Sequence, residues 1–337
     1  MDNLAYLNGK PTVSAIYKKQ FTDFIVREDL GFEPDGEGEH VLVYLRKCDC
    51  NTQFVAEQLA KFVGIPAKLV SYAGLKDRQA VTEQWFGLHM PGKLTPDFSL
   101  FQLAGCEILK VTRQLKKLRI GVLKGNFFSI ILREVSDKTA LQRRIDDLSI
   151  KGAPNYFGEQ RFGRDNHNLK QAILWANGDI KVKDRQKRGF YLSAARSAIF
   201  NDIVSTRILQ DKLSQVMLGD ALQLTGRGSW FVATQPDLPD LQHRLQQDEL
   251  RITAPMIGDG ELGTHDDARL FEQTCLEKWQ TVTELLKTER VATTRRSALL
   301  KPVDLSYTWL DDNTLKLDFW LPAGCYATSI LRELVID

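Results

Sequence analysis

The sequence has no uninterrupted apolar run of about eighteen residues, the length a helix needs to cross a bilayer, so no membrane span is expected. Cysteine is scarce: five residues, an odd number in a chain of 337, do not make a disulfide framework. Cys48-Asp-Cys50 is too tightly spaced for a usual zinc knuckle, and Cys106, Cys275 and Cys325 stand alone. All five read as structural thiols in a reducing cytoplasm. The first residues, Met1 to Lys10, lack the basic and apolar regions of a signal peptide. The familiar catalytic signatures are missing too. No Gly-x-Gly-x-x-Gly follows a strand, and no Walker motif, His-Glu-x-x-His, paired Cys-x-x-Cys or nucleophile elbow occurs. His40, His89, His167, His243 and His265 are scattered without metal-ligand spacing. What these absences leave is carboxylate, lysine and aromatic chemistry in a site without metal or cofactor.

Net charge is also small, +2, but its distribution is uneven. Acids outnumber bases between Asp23 and Glu39. From Lys110 through Arg113, Lys116, Lys117 and Arg119 to Lys124 there is no acid at all, and a second basic run covers Lys181 to Arg188. Two such runs favour a phosphate backbone as partner over mere solvation of a face.

One stretch concentrates reactive groups. Ser71-Tyr-Ala-Gly-Leu-Lys-Asp-Arg-Gln-Ala-Val-Thr-Glu-Gln-Trp-Phe86 sets Asp77 between Lys76 and Arg78, with apolar segments on both sides. The pattern predicts strand, tight loop, strand, and Gly74 admits a sharp or positive-φ turn. Flanking cations should keep the carboxylate ionised, suiting a nucleophile or general base. Taken alone, the triplet reads equally well as a solvated turn.

The surrounding chain reads as α+β. Strands are expected at Phe24 to Glu28, Val41 to Leu45, Leu118 to Leu123 and Phe127 to Leu132, the last two joined by a hairpin-like Lys124-Gly-Asn126. A helix capped by Asn51 or Thr52 has Phe54, Val55, Leu59, Phe62 and Val63 as its apolar face, stopped by Gly64 and Pro66. Thr139 to Ile150 fits another. In Asn155-Tyr-Phe-Gly-Glu-Gln-Arg-Phe-Gly163, three aromatics beside an arginine suit base stacking or simple core packing. Helical periodicity then dominates (Asn168 to Trp175, Leu192 to Leu209, Leu270 to Leu286), with strand-like pieces between. Strands return at Leu305 to Leu310 and Thr314 to Trp320, before a helix from about Thr328. This change of texture suggests an inserted domain.

Four motifs together resemble the bacterial tRNA pseudouridine synthase D (TruD) type: Ala73-Gly-Leu-Lys-Asp77-Arg-Gln-Ala80, Lys124-Gly-Asn126-Phe-Phe128, Asn155 to Gly163, and Leu321-Pro-Ala-Gly-Cys-Tyr326-Ala-Thr-Ser. The resemblance runs over essentially the whole chain. It implies an α+β fold: a pseudouridine synthase catalytic domain with a mixed or antiparallel sheet, built from residues 1–151 and 302–337, and a TruD-type α+β insertion at 152–301. The implied activity is isomerisation of uridine 13 in the tRNA D arm, without metal or cofactor. tRNA is the implied partner, and no protein partner is. Asp77 matches the catalytic aspartate, whether by attack on C1′ or by assisting cleavage from the ribose. Lys18, Phe24, Asn126, Phe128 and Tyr326 match substrate-binding positions, with Lys18 near the aspartate and Phe128 against the target base. Gln160 and Arg161 fall in a supporting motif. The family's early motif carries Pro-Glu-Asp-Phe where this chain has Phe21-Thr-Asp-Phe24, which loosens the backbone before Phe24. The competing readings, an RNA-binding factor without catalysis and a metal-dependent nuclease, give Asp77 no such task.

Overall fold

The computed structural model describes residues 4–336. Strand β1 (Phe24–Asp29) alternates buried positions with partly buried or exposed ones, and β2 (His40–Cys48) is buried over most of its length. Helix α1 (Thr52–Val63) ends at Gly64, whose φ of 67° supplies the left-handed cap. Val55 and Leu59 are its buried stripe, whereas Phe54, expected on that face, is exposed. Strands β3 (Val70–Tyr72) and β4 (Val81–His89) bracket the loop that carries Asp77. Gly74 within that loop does not take positive φ. Next come β5 (Cys106–Gln114), β6 (Gly125–Leu132) and α2 (Lys138–Lys151).

Two expectations fail here for identifiable reasons. Leu118 to Leu123 is a loop, not a strand. Leu118 and Leu123 are buried anchors beside Leu42 and Trp85, but Ile120 between them is exposed, and Gly121 turns at φ 83°. Lys124-Gly-Asn126 is not a hairpin turn, because Gly125 and Asn126 already belong to β6. The glycine is needed there for another reason. A Cβ at Gly125 would lie 2.3 Å from Trp320 Cζ2 and 2.4 Å from the Leu321 carbonyl oxygen.

The middle of the chain contains β7 (Ala153–Pro154), α3 (His167–Ala176), α4 (Arg185–Leu209), β8 (Ala221–Leu224), β9 (Trp230–Val232), α5 (Leu238–Gln246), β10 (Leu250–Met256), α6 (Asp266–Leu276), α7 (Gln280–Thr288), β11 (Thr294–Ser297) and β12 (Leu299–Leu300). The tail adds β13 (Val303–Trp309), β14 (Leu315–Pro322) and α8 (Ala327–Leu334).

These elements divide into two compact units. One comprises Thr12–Arg143, Pro302–Ala327 and Val335–Asp337. Its sheet runs β13-β14-β6-β1-β4-β2-β5, with β3 also on β4; β1 and β4 are parallel and the other pairs antiparallel. Val41, Val43, Val55, Leu59, Phe86 and Leu88 form the core between this sheet and α1. The other unit comprises Met1–Pro11, Arg144–Lys301 and Thr328–Leu334. Its four-stranded sheet has the order β11-β10-β8-β9, all antiparallel. The long α4 buries Ala194, Ala195, Ile199, Phe200 and Ile203. These boundaries differ from 1–151 with 302–337 at three places: residues up to Pro11, residues 144–151 and Thr328–Leu334 group with the central segment. The first residues and most of α8 pack with the central segment: Tyr156 Oη donates to the Ala5 carbonyl at 3.0 Å, and Ser329 Oγ donates to the Tyr156 carbonyl at 2.8 Å.

The close crossing at Gly125 predicts that Gly125→Ala destabilises the protein by about 1–3 kcal/mol through overpacking, read as a lower denaturant midpoint at unchanged m-value.

Candidate active site

The loop between β3 and β4 is short and polar, and its backbone is strapped from three elements. Gln84 on β4 donates Nε2 to the Gly74 carbonyl at 2.6 Å. Thr52, first residue of α1, accepts the Lys76 N–H on Oγ1 at 3.1 Å and donates to Gln84 Oε1 at 3.0 Å. Lys47 on β2, fully buried, donates Nζ to the Cys50 carbonyl at 2.8 Å and to the Asp77 carbonyl at 3.1 Å. Burial pushes the Lys47 ammonium below its ordinary range, against the nearby Asp77 charge. The position of Asp77 is thus fixed by main-chain contacts before its side chain meets anything.

That side chain is 27% exposed, and Lys18 Nζ lies 2.6 Å from its Oδ2. The Gln79 N–H donates to Oδ1 at 3.0 Å. Burial works to raise the Asp77 pKa, but the Lys18 hydrogen bond and charge, the Gln79 N–H and the Lys47 charge outweigh it and hold the carboxyl below its ordinary range. The sequence neighbours do not supply this environment. Arg78 pairs with Asp49 at 2.7 Å, and Lys76 turns to Asn126 and Glu28. The flanking cations therefore do not hold Asp77 ionised; Lys18, which the family resemblance sets near the aspartate, makes the contact.

Lys18 reaches Asp77 from an unusual backbone position, with φ at 62°. Two devices fix it. Ile16 and Arg133 exchange backbone hydrogen bonds at 2.8 and 2.9 Å, and Arg133 clamps the buried Asp23 carboxylate with a contact of 2.7 Å. Asp23 also accepts the Gln20 N–H at 2.9 Å. The Asp23 carboxylate thus holds this segment through Arg133 and the Gln20 N–H.

Strand alternation gathers the remaining groups. On β1, Phe24, Val26 and Glu28 share one face, and on β6 so do Asn126, Phe128 and Ile130; the two strands pair as Val26 with Phe128 and Glu28 with Asn126. Phe24 lies under Lys18 Nζ at 4.5 Å and edge-on to Phe128 at 6.3 Å. Phe128 is only 8% exposed, its ring stacked on Phe319 of β14 at 5.3 Å. Asn126 Oδ1 accepts from Lys76 Nζ at 2.6 Å. Lys76 Nζ also lies 3.2 Å from Glu28 Oε1, and the Trp85 N–H donates to Glu28 Oε2 at 2.8 Å. Burial pushes the Glu28 carboxyl up, with Lys76 and the Trp85 N–H pulling against it.

Tyr326 sits half-buried in the turn between β14 and α8, a turn tied to the start of β6 by the Ala323 N–H on the Lys124 carbonyl at 3.0 Å. Gln160 and Arg161 belong to the other unit. Gln160 is exposed, and Arg161 donates to Ser193 Oγ at 3.1 Å. In that motif Tyr156, Phe157 and Phe162 are all buried, so core packing, not an open stacking surface, accounts for them. Lys47, Glu28, Thr52, Gln84 and Phe319 were missed. Only the two charges gave a signal, as ionisable residues at inward positions of otherwise apolar strands. Among the described residues no group of three or more His, Cys, Asp or Glu side chains gathers as a metal site. Burial lifts the thiols of Cys106 to about 12 and of Cys275 to about 11, as inert structural cysteines require. No helix among the described residues is long and apolar enough to cross a membrane.

A family model described as tRNA pseudouridine synthase D (TruD) matches residues 1–182 and 175–334. A crystal structure from Methanosarcina mazei, assigned to tRNA pseudouridine synthase D, superimposes with a TM-score of 0.73 over 98% of this chain and 95% of that one, at 22% identity.

Replacing Lys18 by Met should raise the Asp77 titration midpoint, followed by ¹³C NMR of the labelled carboxyl; an unmoved midpoint would show that Lys18 does not set it. The sign also fixes a pH effect. With the folded value below the unfolded one, the pair's stabilisation is whole above the unfolded carboxylate's pKa and is lost as pH falls through the folded value. The variant should lack that acid-side loss.

Proposed function

The chain belongs to the tRNA pseudouridine synthase D family, and on that premise we propose that it converts uridine 13 of the tRNA D arm to pseudouridine, with Asp77 as its one catalytic carboxylate and no cofactor. The observation that carries this reading is the Lys18–Asp77 pair, an ionised carboxylate kept partly open to solvent on a backbone strapped from β2, α1 and β4. Breaking the N-glycosidic bond needs such a group, either to attack C1′ or to assist cleavage by stabilising or deprotonating the ribose. The detached uracil then turns and rejoins the ribose through C5; C5 gives up its proton and N1 takes one up, so the N1–C1′ and C5–H bonds are replaced by C5–C1′ and N1–H, and no redox partner is needed. Lys18 holds the carboxylate charged between turnovers.

The target must leave its stack to meet Asp77, at a cost of roughly a few kcal/mol. Phe24 and Phe128 offer an apolar floor, and aromatic stacking offsets about 1–3 kcal/mol per base. Asn126 and Tyr326 take the polar edges of the nucleotide, while Gln160 and Arg161 support the second unit. Residues 12–143 and 302–327 then act as the catalytic body and the central segment as the inserted domain. The basic runs from Lys110 and from Lys181 bind the tRNA backbone, and this work belongs to the cytoplasm.

Asp77→Asn should reduce pseudouridine formation at position 13 to background while leaving tRNA affinity nearly unchanged, measured by pseudouridine mapping of incubated tRNA and by filter binding. A folded Asp77→Asn protein that still modifies tRNA would overturn the assignment. Modification at another position would leave the family intact and remove the site specificity.

A further inference from the structure

The chain Trp85–Glu28–Lys76–Asn126 has no place in the cleavage step, yet it is among the best-buried polar arrangements in its unit. Glu28 has no exposed side-chain surface and Lys76 only 10%, and they meet at 3.2 Å. Lysine carries three donors and no acceptor. Its ammonium, 2.6 Å from the Asn126 side chain, must therefore face the amide oxygen, which removes the usual ambiguity in amide orientation. With Oδ1 turned to the ammonium, the end of the amide directed away from Lys76 is its NH2 group. Asn126 occupies the same strand face as Phe128, and Glu28 stands opposite it on β1. The anchor is rigid because Glu28 is fixed in turn by the Trp85 N–H at 2.8 Å.

We infer that Lys76, held by Glu28, is a positioning residue that locks the Asn126 amide with its NH2 group toward the substrate, so that the site recognises a carbonyl oxygen of the pyrimidine rather than a ring or amino donor. The inference rests on the proposed pseudouridine synthase activity and specifies how its base is read. A donor-only edge pairs with a carbonyl of uracil and leaves a base that presents N–H there unpaired, a mismatch that discriminates more strongly than loss of packing. Lys76 acts here through Asn126. The cations that hold Asp77 ionised are Lys18 and Lys47.

The test is a double-mutant cycle on pseudouridine formation. Lys76→Met alone would strand a buried carboxylate, so it is paired with Glu28→Gln. In the otherwise native protein the pair should lower kcat/KM about three- to ten-fold, the range of one hydrogen bond lost. In an Asn126→Ala background it should lower it no further. An equal drop in both backgrounds, or none in either, overturns the inference. A second variant serves if the paired substitution melts below assay temperature. Asn126→Asp keeps a partner for Lys76 but presents only acceptors, so it should be less active than Asn126→Ala; equal or greater activity overturns the inference. The two levels of failure separate. A native protein that makes no pseudouridine removes the proposed function, whereas an active native protein with additive variants removes only the role of Lys76.

Discussion

A carboxylate shielded from water drifts toward its neutral acid unless cations and donors are brought to it, and Asp77 is kept ionised by charges from far along the chain. Lys18 makes the contact, at 2.6 Å, and Lys47 adds its charge from beneath the loop. Much of the surrounding structure serves to deliver these two groups. The bridge between Ile16 and Arg133, the Arg133 clamp on Asp23 and the left-handed backbone at Lys18 together aim one ammonium. A non-glycine residue in that conformation is strained, and such strain persists only where neighbours over-determine it.

The three lysines near the loop divide the work by depth. Lys18, a quarter exposed, meets the carboxylate where solvent can reach. Lys47 is fully buried, and its ammonium donates to two carbonyls, so it holds the main chain although burial pushes it below its ordinary range. Lys76 is tied to Glu28 and to the amide of Asn126. Removing any one partner from such a set leaves an uncompensated buried charge, which costs more than the lost contact itself. Under Lys18, Phe24 begins a row of aromatic rings that runs through Phe128 to Phe319.

In the other unit the same logic is structural. Arg207 with Asp220 and Arg295 with Glu272 are ion pairs at 2.6 Å, with every side chain at most 2% exposed. Each arginine also donates to carbonyls, so its fork is satisfied. Tyr156, Phe157 and Phe162 pack within this unit, the Phe157 ring edge-on to Phe200 at 5.5 Å. Of the two readings their sequence allowed, core packing holds, and Gly158 serves it: a Cβ there would lie 2.7 Å from Thr328 Oγ1.

From the sequence alone came the α+β class, the strand–loop–strand around Asp77, a strand from Phe127 to Leu132, and the family; that Asn126 shares a strand face with Phe128 came from the structure. The former depend on periodicity and on local motifs, which short-range sterics enforce. The spurious strand at Leu118 to Leu123 and the spurious hairpin at Gly125 came from reading local texture where long-range packing rules. The partners of Asp77 could not be read locally either, because Lys76 and Arg78 are adjacent in sequence yet find stronger partners in Glu28, Asn126 and Asp49. Which cation faces a carboxylate depends on the direction each side chain leaves its strand or loop, and only the assembled sheet fixes that. The sequence determined that an ionised aspartate stands at this loop; the tertiary structure decided which cations hold its charge, because only the assembled sheet turns Lys76 and Arg78 away and brings Lys18 and Lys47 in.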